Sequence, residues 1–144
     1  MFTLNQQEAN ANDQVVTGII PVNSIYARVL FDSGSSHSFI SLKFATSLNC
    51  VLGKLNEPLY VSTPFKNIVV ANIIFKNRII QIEEKKLAAD LIQLNMYDFD
   101  VILGMNWLSS YHAHIDCFEK RVVFQIPDEP QFFFQGEVHN TESK

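Results

Sequence analysis

Val29-Leu30-Phe31-Asp32-Ser33-Gly34-Ser35-Ser36 is the stretch on which the reading of this chain turns. Three apolar residues in succession suit a strand buried on both faces, and the Ser-Gly after the aspartate is turn chemistry. The pattern predicts a strand that leaves a core and delivers one carboxylate onto a tight turn. A carboxylate held this way is a candidate acid, and the water-activating chemistry that suits it takes two carboxylates sharing one proton. Neither Asp-Ser-Gly nor Asp-Thr-Gly recurs in the chain. A second, identical chain would then supply the partner.

Outward from that turn the sequence is rich in strand signals. Val15–Ile20 and Ile25–Phe31 flank Pro21-Val22-Asn23-Ser24 as in a hairpin. Downstream, Ser41–Leu48 carries apolar residues at 42, 45 and 48, a helical spacing with Ser38 or Ser41 as candidate N-cap. Leu59–Thr63 and Ile68–Phe75 predict a long hairpin broken at 64–67. Lys76-Asn77 is read as a turn into Arg78–Ile82, and Glu83-Glu84-Lys85-Lys86 as a solvated hairpin tip before Leu87–Leu94. Phe99–Gly104 is an apolar strand ending in glycine, with a short helix opening at Asn106. His114–Cys117 and Arg121–Ile126 close the unit around Glu119-Lys120.

About ten short strands with one or two short helices describe an all-β, mostly-β closed barrel of a single lobe. Residues 1–13, amide-rich and without apolar periodicity, are expected to be a flexible leader. Residues 14–127 form the predicted domain, and 128–144 a tail or linker. No internal repeat and no second domain are found.

Composition narrows the function classes. With 47% hydrophobic residues and 12 Phe the chain can bury a core of its own. Its formal charge of −4 argues against a broad basic face, so nucleic acid is not an expected partner. No stretch reaches the apolar length of a membrane span. Cys50 and Cys117 do not make a disulfide framework, which favours a reducing, cytoplasmic setting.

Asp-Ser-Gly alone is a weak signal, usually an ordinary turn. Two segments together are far more restrictive: Val29–Ser41, which contains the turn, and Asp98-Phe99-Asp100-Val101-Ile102-Leu103-Gly104-Met105-Asn106-Trp107-Leu108, an apolar strand that enters a helix through glycine. They closely resemble the retropepsin-type aspartic proteases of gypsy-type long-terminal-repeat retrotransposons, especially those of plants. Tyr60–Pro64, Ala89–Ile92, His114–Cys117 and Phe134–Glu137 look like further family segments, so the likeness runs from about Val15 to Gly136.

The resemblance implies a closed acid-protease barrel working as a homodimer on an extended polypeptide substrate, the gag-pol polyprotein, with no cofactor and no metal. It implies Asp32 as the catalytic carboxylate and Ser33 as a hydroxyl reaching across the two-fold axis. Gly34 would let backbone approach water and substrate. Ile102-Leu103-Gly104 would form a buttress beneath the Asp32 loop. Ser62, Thr63, Pro64, Phe65, Lys66 and Asn67 would form the flap, although this tip lacks the glycine a family flap often carries. Ser35 stands where viral relatives commonly have alanine. Its hydroxyl is expected to donate to the outer oxygen of Asp32 and so favour the charged form, giving an acidic optimum.

Other acids and possible ligands read more simply. Asp90, Asp98, Asp100 and Asp116 are not followed by Ser-Gly or Thr-Gly, and solvation or structural hydrogen bonding explains them better. His112, His114 and Cys117, with Cys50, do not match a recognised zinc spacing. His37 is read as a loop contact. Phe132-Phe133-Phe134 is either a cleavage site or a strand burying a dimer interface. The competing function is a catalytically idle retropepsin-like module for dimerisation or peptide binding.

Overall fold

The computed structural model of the protein describes residues 2–3, 15–62 and 67–138. Strands β1 (Phe2–Thr3), β2 (Val15–Val22), β3 (Ile25–Asp32), β4 (Phe39–Ser41), β5 (Gly53–Ser62), β6 (Ile68–Ile82), β7 (Lys85–Leu94) and β8 (Val101–Leu103) form one eight-stranded sheet. Its order is β1-β5-β6-β2-β3-β8-β4-β7. Pairing of β6 with β7, from Ile74↔Ile92 to Ile82↔Lys85, closes that sheet on itself. A smaller sheet of β9 (Ala113–Asp116), β10 (Arg121–Phe124) and β11 (Phe132–Gln135) packs on the barrel, joined to it through helix α2 (Met105–Ser110). The mostly-β, single-lobed architecture read from the sequence is the one observed.

The β2–β3 hairpin is in full register from Val15↔Asp32 to Val22↔Ile25. Its two connecting residues, Asn23 and Ser24, both have positive φ (50° and 70°), the backbone twist that suits a two-residue hairpin. The Asn23 side-chain oxygen also accepts from the Ile79 amide at 2.9 Å, stitching this turn to β6.

Two apolar clusters lie on opposite faces of the strands that carry the site. Val29 and Phe31 on β3, Ile40 on β4, and Val101 and Leu103 on β8 enter one cluster with Trp107, Leu108, Val122 and Phe124. The intervening Leu30, Phe39 and Ile102 enter the other, with Val15, Val61, Ile74 and Ile92. Side chains of successive strand residues point to opposite faces, so burial on both faces requires an unbroken apolar run. That is why Val29-Leu30-Phe31 and Val101-Ile102-Leu103 show no alternation. Trp107 anchors the first cluster, and its indole N–H donates to the Ala88 carbonyl at 3.1 Å, an acceptor shared with the Tyr111 hydroxyl at 2.9 Å.

Several local expectations are corrected. Lys76-Asn77 is no turn: β6 is continuous, and the register shift between Phe75 and Arg78 is a bulge in which Asn77 has φ 57°. A bulge takes an amide out of the ladder, and here the Asp90 carboxylate accepts from the Asn77 N–H at 2.8 Å. The first helix, α1 (Leu42–Ala45), is a single turn with Ser41 as N-cap, its hydroxyl accepting from the Phe44 amide at 2.9 Å.

Of the tail expected over residues 128–144, the described part is instead built into the fold, while residues 139–144 lie outside the described residues. β11 pairs with β10 from Arg121↔Gln135 to Phe124↔Phe132, and the Glu137 amide donates to the Thr17 carbonyl at 2.8 Å. Phe132-Phe133-Phe134 is therefore a paired strand of this chain, with Phe132 and Phe134 packed against its core. Of the leader, only Phe2–Thr3 falls within the described residues, and it is a strand. The remainder of that expectation lies outside them.

Candidate active site

Asp32 is the last residue of β3, which is held on both sides. β2 pairs with it antiparallel, Val15 opposite Asp32, and β8 pairs parallel at Val29↔Val101, Leu30↔Ile102 and Phe31↔Leu103. β8 in turn pairs antiparallel with β4 at Phe39↔Ile102 and Ile40↔Val101. Ile102 and Leu103 therefore lie between the strand that enters the Asp32 loop and the strand that leaves it. Fixing both ends of a loop to one central strand limits where its tip can go.

Within the loop the carboxylate has a defined orientation. Its Oδ1 accepts from the Gly34 amide at 2.8 Å, and the Asp32 carbonyl accepts from the Ser35 amide at 3.1 Å. This is a side-chain turn nested in a backbone turn. Gly34 is exposed, and a Cβ there would stand 3.2 Å from Asp32 Oδ1, so a larger residue would crowd the carboxylate. Asp32 and Ser33 are both partly exposed, on the open side of the loop.

The loop is tied down from below by groups that carry no chemistry of their own. Ser38, 1% exposed, accepts from the Gly104 amide at 3.0 Å and donates to the Asn106 side-chain oxygen at 2.8 Å. That oxygen also accepts from the Trp107 amide at 2.8 Å. The Met105 amide donates to the Ser35 carbonyl at 2.7 Å. A Cβ on Gly104 would overlap the carbonyl oxygens of His37 and Ser35, so the backbones of the two segments are in direct contact. At the far end, the Asp100 carboxylate accepts from the Arg28 amide at 2.8 Å, the Asp100 amide donates to the Arg28 carbonyl at 2.9 Å, and its carbonyl accepts from the Ser41 amide at 2.8 Å.

The geometry corrects one expected role. The Ser35 hydroxyl, buried in the loop, donates to the His37 carbonyl at 2.8 Å. A hydroxyl has one proton to give, so that proton is not available to Asp32. His37 does make a loop contact: its Nδ1 lies 2.9 Å from the Ser36 hydroxyl. Burial, and secondarily the positive charge of the chain's amino terminus, hold its pKa below the usual histidine value.

Of the other acids, Asp90 and Asp100 have structural partners as described, and the Asp116 carboxylate accepts from the Glu119 amide at 3.1 Å. Among the described residues no group of three or more His, Cys, Asp or Glu side chains is placed to hold a metal, and Cys50 and Cys117 are both free thiols. No described helix is long and apolar enough to cross a membrane. Of the six flap residues, Ser62 and Asn67 are described. Ser62 pairs with Ile68 at the tip end of the β5–β6 hairpin, whereas Thr63, Pro64, Phe65 and Lys66 lie outside the described residues. Ser38, Asn106 and Asp100 support the loop, a role the sequence reading did not give them: it took Ser38 as a candidate N-cap, Asn106 as a helix start and Asp100 as solvated or structurally hydrogen-bonded, the last of which fits its bond to the Arg28 amide. The available signal was three polar side chains placed where the flanking runs are apolar.

A closed barrel that presents one turn-held aspartate on a loop braced by a central strand defines the acid-protease class of fold. The retroviral aspartyl protease family model matches residues 1–129, and the chain belongs to that family. Comparison with curated proteins returned no match. Among solved structures, the retroviral protease-like domain of Ddi1 from Leishmania major is similar with a TM-score of 0.59 at 12% identity. That match covers 84% of this chain and 94% of the other. The EIAV protease complexed with the inhibitor HBY-793 is similar with a TM-score of 0.55 at 17% identity, covering 69% of this chain and 90% of that one. At these identities the two likenesses concern the fold.

Proposed function

We propose that the protein is one half of a homodimeric aspartic endopeptidase that cuts the gag-pol polyprotein of a gypsy-type retrotransposon of the plant kind, acting in the cytoplasm. Asp32 from each of two chains would share a proton. The ionised carboxylate takes a proton from a water held between them while its protonated twin donates to the carbonyl oxygen of the scissile bond. Ser33 would link the two loops across the symmetry axis, and the β5–β6 hairpin would cover a substrate bound as an extended strand. The observation that carries this reading is Asp32 itself: a single, partly exposed carboxylate on a loop otherwise braced in every direction, in a chain with no second Asp-Ser-Gly or Asp-Thr-Gly. The retrotransposon context rests on the motif likeness of Val29–Ser41 and Asp98–Leu108.

The test is hydrolysis of Phe-containing peptides at about pH 4 to 6, the range in which such a dyad holds one proton. Activity should be blocked by a transition-state inhibitor of aspartic proteases and fall at least about a thousandfold in Asp32→Asn. Specific activity should also decline on dilution, because the active form is a dimer. A pure wild-type protein that cleaves no member of a diverse peptide library would leave the idle dimerisation or peptide-binding module as the reading.

A further inference from the structure

The edge of β5 next to the hairpin tip is an acceptor for an extended peptide, and the chain already occupies it. β6 takes one side of β5 through Leu59↔Ala71, Tyr60↔Val70, Val61↔Val69 and Ser62↔Ile68. The other side is the open end of the sheet but for β1, which pairs parallel with Phe2 opposite Val61 and Thr3 opposite Ser62. An exposed strand edge beside a cleft is a template for strand addition. Val61 is fully buried, in the cluster that also holds Leu30 and Val15, the register partner of Asp32. The pairing therefore falls at the end of β5 that lies over the catalytic strand, not at its Gly53 end.

We propose that β1, Phe2–Thr3, is an intramolecular competitor for the substrate: it takes the place of an extended polypeptide on the β5 edge, and a peptide substrate binds by displacing it. The inference rests on the peptidase reading for its functional meaning, not for its geometry. Phe2-Thr3-Leu4 has the apolar-polar-apolar alternation of a strand. Residues 4–14, which join it to β2, span at most about 40 Å when extended. A tether of that length keeps a released segment at an effective concentration on the order of millimolar. A two-residue ladder is weak, so the device raises the threshold for substrate and does not shut the site.

The experiment uses the full chain and Thr3→Pro, since proline has no N–H to complete the ladder. The probe is a fluorescein-labelled peptide, Met-Phe-Thr-Leu-Asn-Gln-Gln-Glu, identical to residues 1–8. Its binding is followed by anisotropy in an Asp32→Asn background so that cleavage does not interfere. Thr3→Pro should bind it about threefold to tenfold more tightly, the worth of one net hydrogen bond. Amide exchange at Val61 and Ser62 should speed up by a similar factor. With Asp32 restored, KM for a peptide substrate should fall likewise at unchanged kcat. Equal affinities, or no binding to either chain, together with unchanged exchange at Val61 and Ser62 overturn the proposal. A chain that binds the probe as expected yet hydrolyses nothing supports the strand competition and counts against the peptidase reading alone.

Discussion

Replacing Ser38 with alanine tests whether the Asp32 loop is held by its polar underside. The Ser38 hydroxyl is 1% exposed and makes two hydrogen bonds, accepting from the Gly104 amide at 3.0 Å and donating to Asn106 at 2.8 Å. Alanine keeps the shape and deletes both. The Asn106 oxygen retains the Trp107 amide, so its loss is close to one net hydrogen bond, about 1 kcal/mol. The Gly104 amide loses its acceptor in a buried place, which costs about 1–3 kcal/mol. The sum is about 2–4 kcal/mol, a drop in Tm on the order of 10 °C for a domain of this size. Urea denaturation at fixed protein concentration would read it as a lower midpoint at constant slope. Ser36→Ala is the control. That hydroxyl is exposed and bonds the His37 ring, so its removal should stay within about 0.5 kcal/mol. If Ser38→Ala falls in the same range as Ser36→Ala, the polar underside is not what fixes the loop.

Three further outcomes follow from the same geometry. Gly104→Ala should destabilise by about 1–3 kcal/mol, because its Cβ meets two backbone carbonyls and not a movable side chain. It should lower peptidase activity by more than its melting temperature alone accounts for, since His37 and Ser35 must shift. Asp90→Ala should cost about 1 kcal/mol by unmaking the bond to the bulged Asn77 amide, whereas changing Asn77 to glycine, which accepts positive φ, should be nearly neutral; chemical denaturation separates the two. His37 contributes a pH dependence. Its folded pKa is depressed, so as pH falls through about 6.5 the unfolded chain takes the proton first and stability declines until the folded imidazole is protonated too. His37→Gln should flatten that part of the stability profile between about pH 5 and 7.

The sequence revealed the parts of the fold that depend on contiguous residues. The runs Val29–Phe31 and Val101–Leu103 announced themselves because strands buried on both faces cannot alternate, and the turn after Asp32 because Ser-Gly has few other uses. Features that depend on distant partners were hidden. Asn77 looked like a turn residue because positive φ suits both a turn and a bulge. Only Asp90, thirteen positions on, decides between them. The Ser35 hydroxyl, expected on the family likeness to donate to Asp32, instead meets the His37 carbonyl that the folded loop brings to it. The tail beyond Pro127 looked unstructured since Pro, Asp and Glu interrupt it, and no local pattern discloses that Phe134 has a berth on β2.

That berth sets the order in which the molecule can be completed. Phe134 lies against the bare backbone of Gly18, where any side chain would collide with its ring, and 5.5 Å from the ring of Phe31, the residue before Asp32. Until the polypeptide has been synthesised past residue 136, one wall of the core behind β3 stays wet. The domain therefore cannot complete the packing beneath the Asp32 loop before that point in translation, and a version trimmed at residue 127 would lack the ring that covers one side of Phe31.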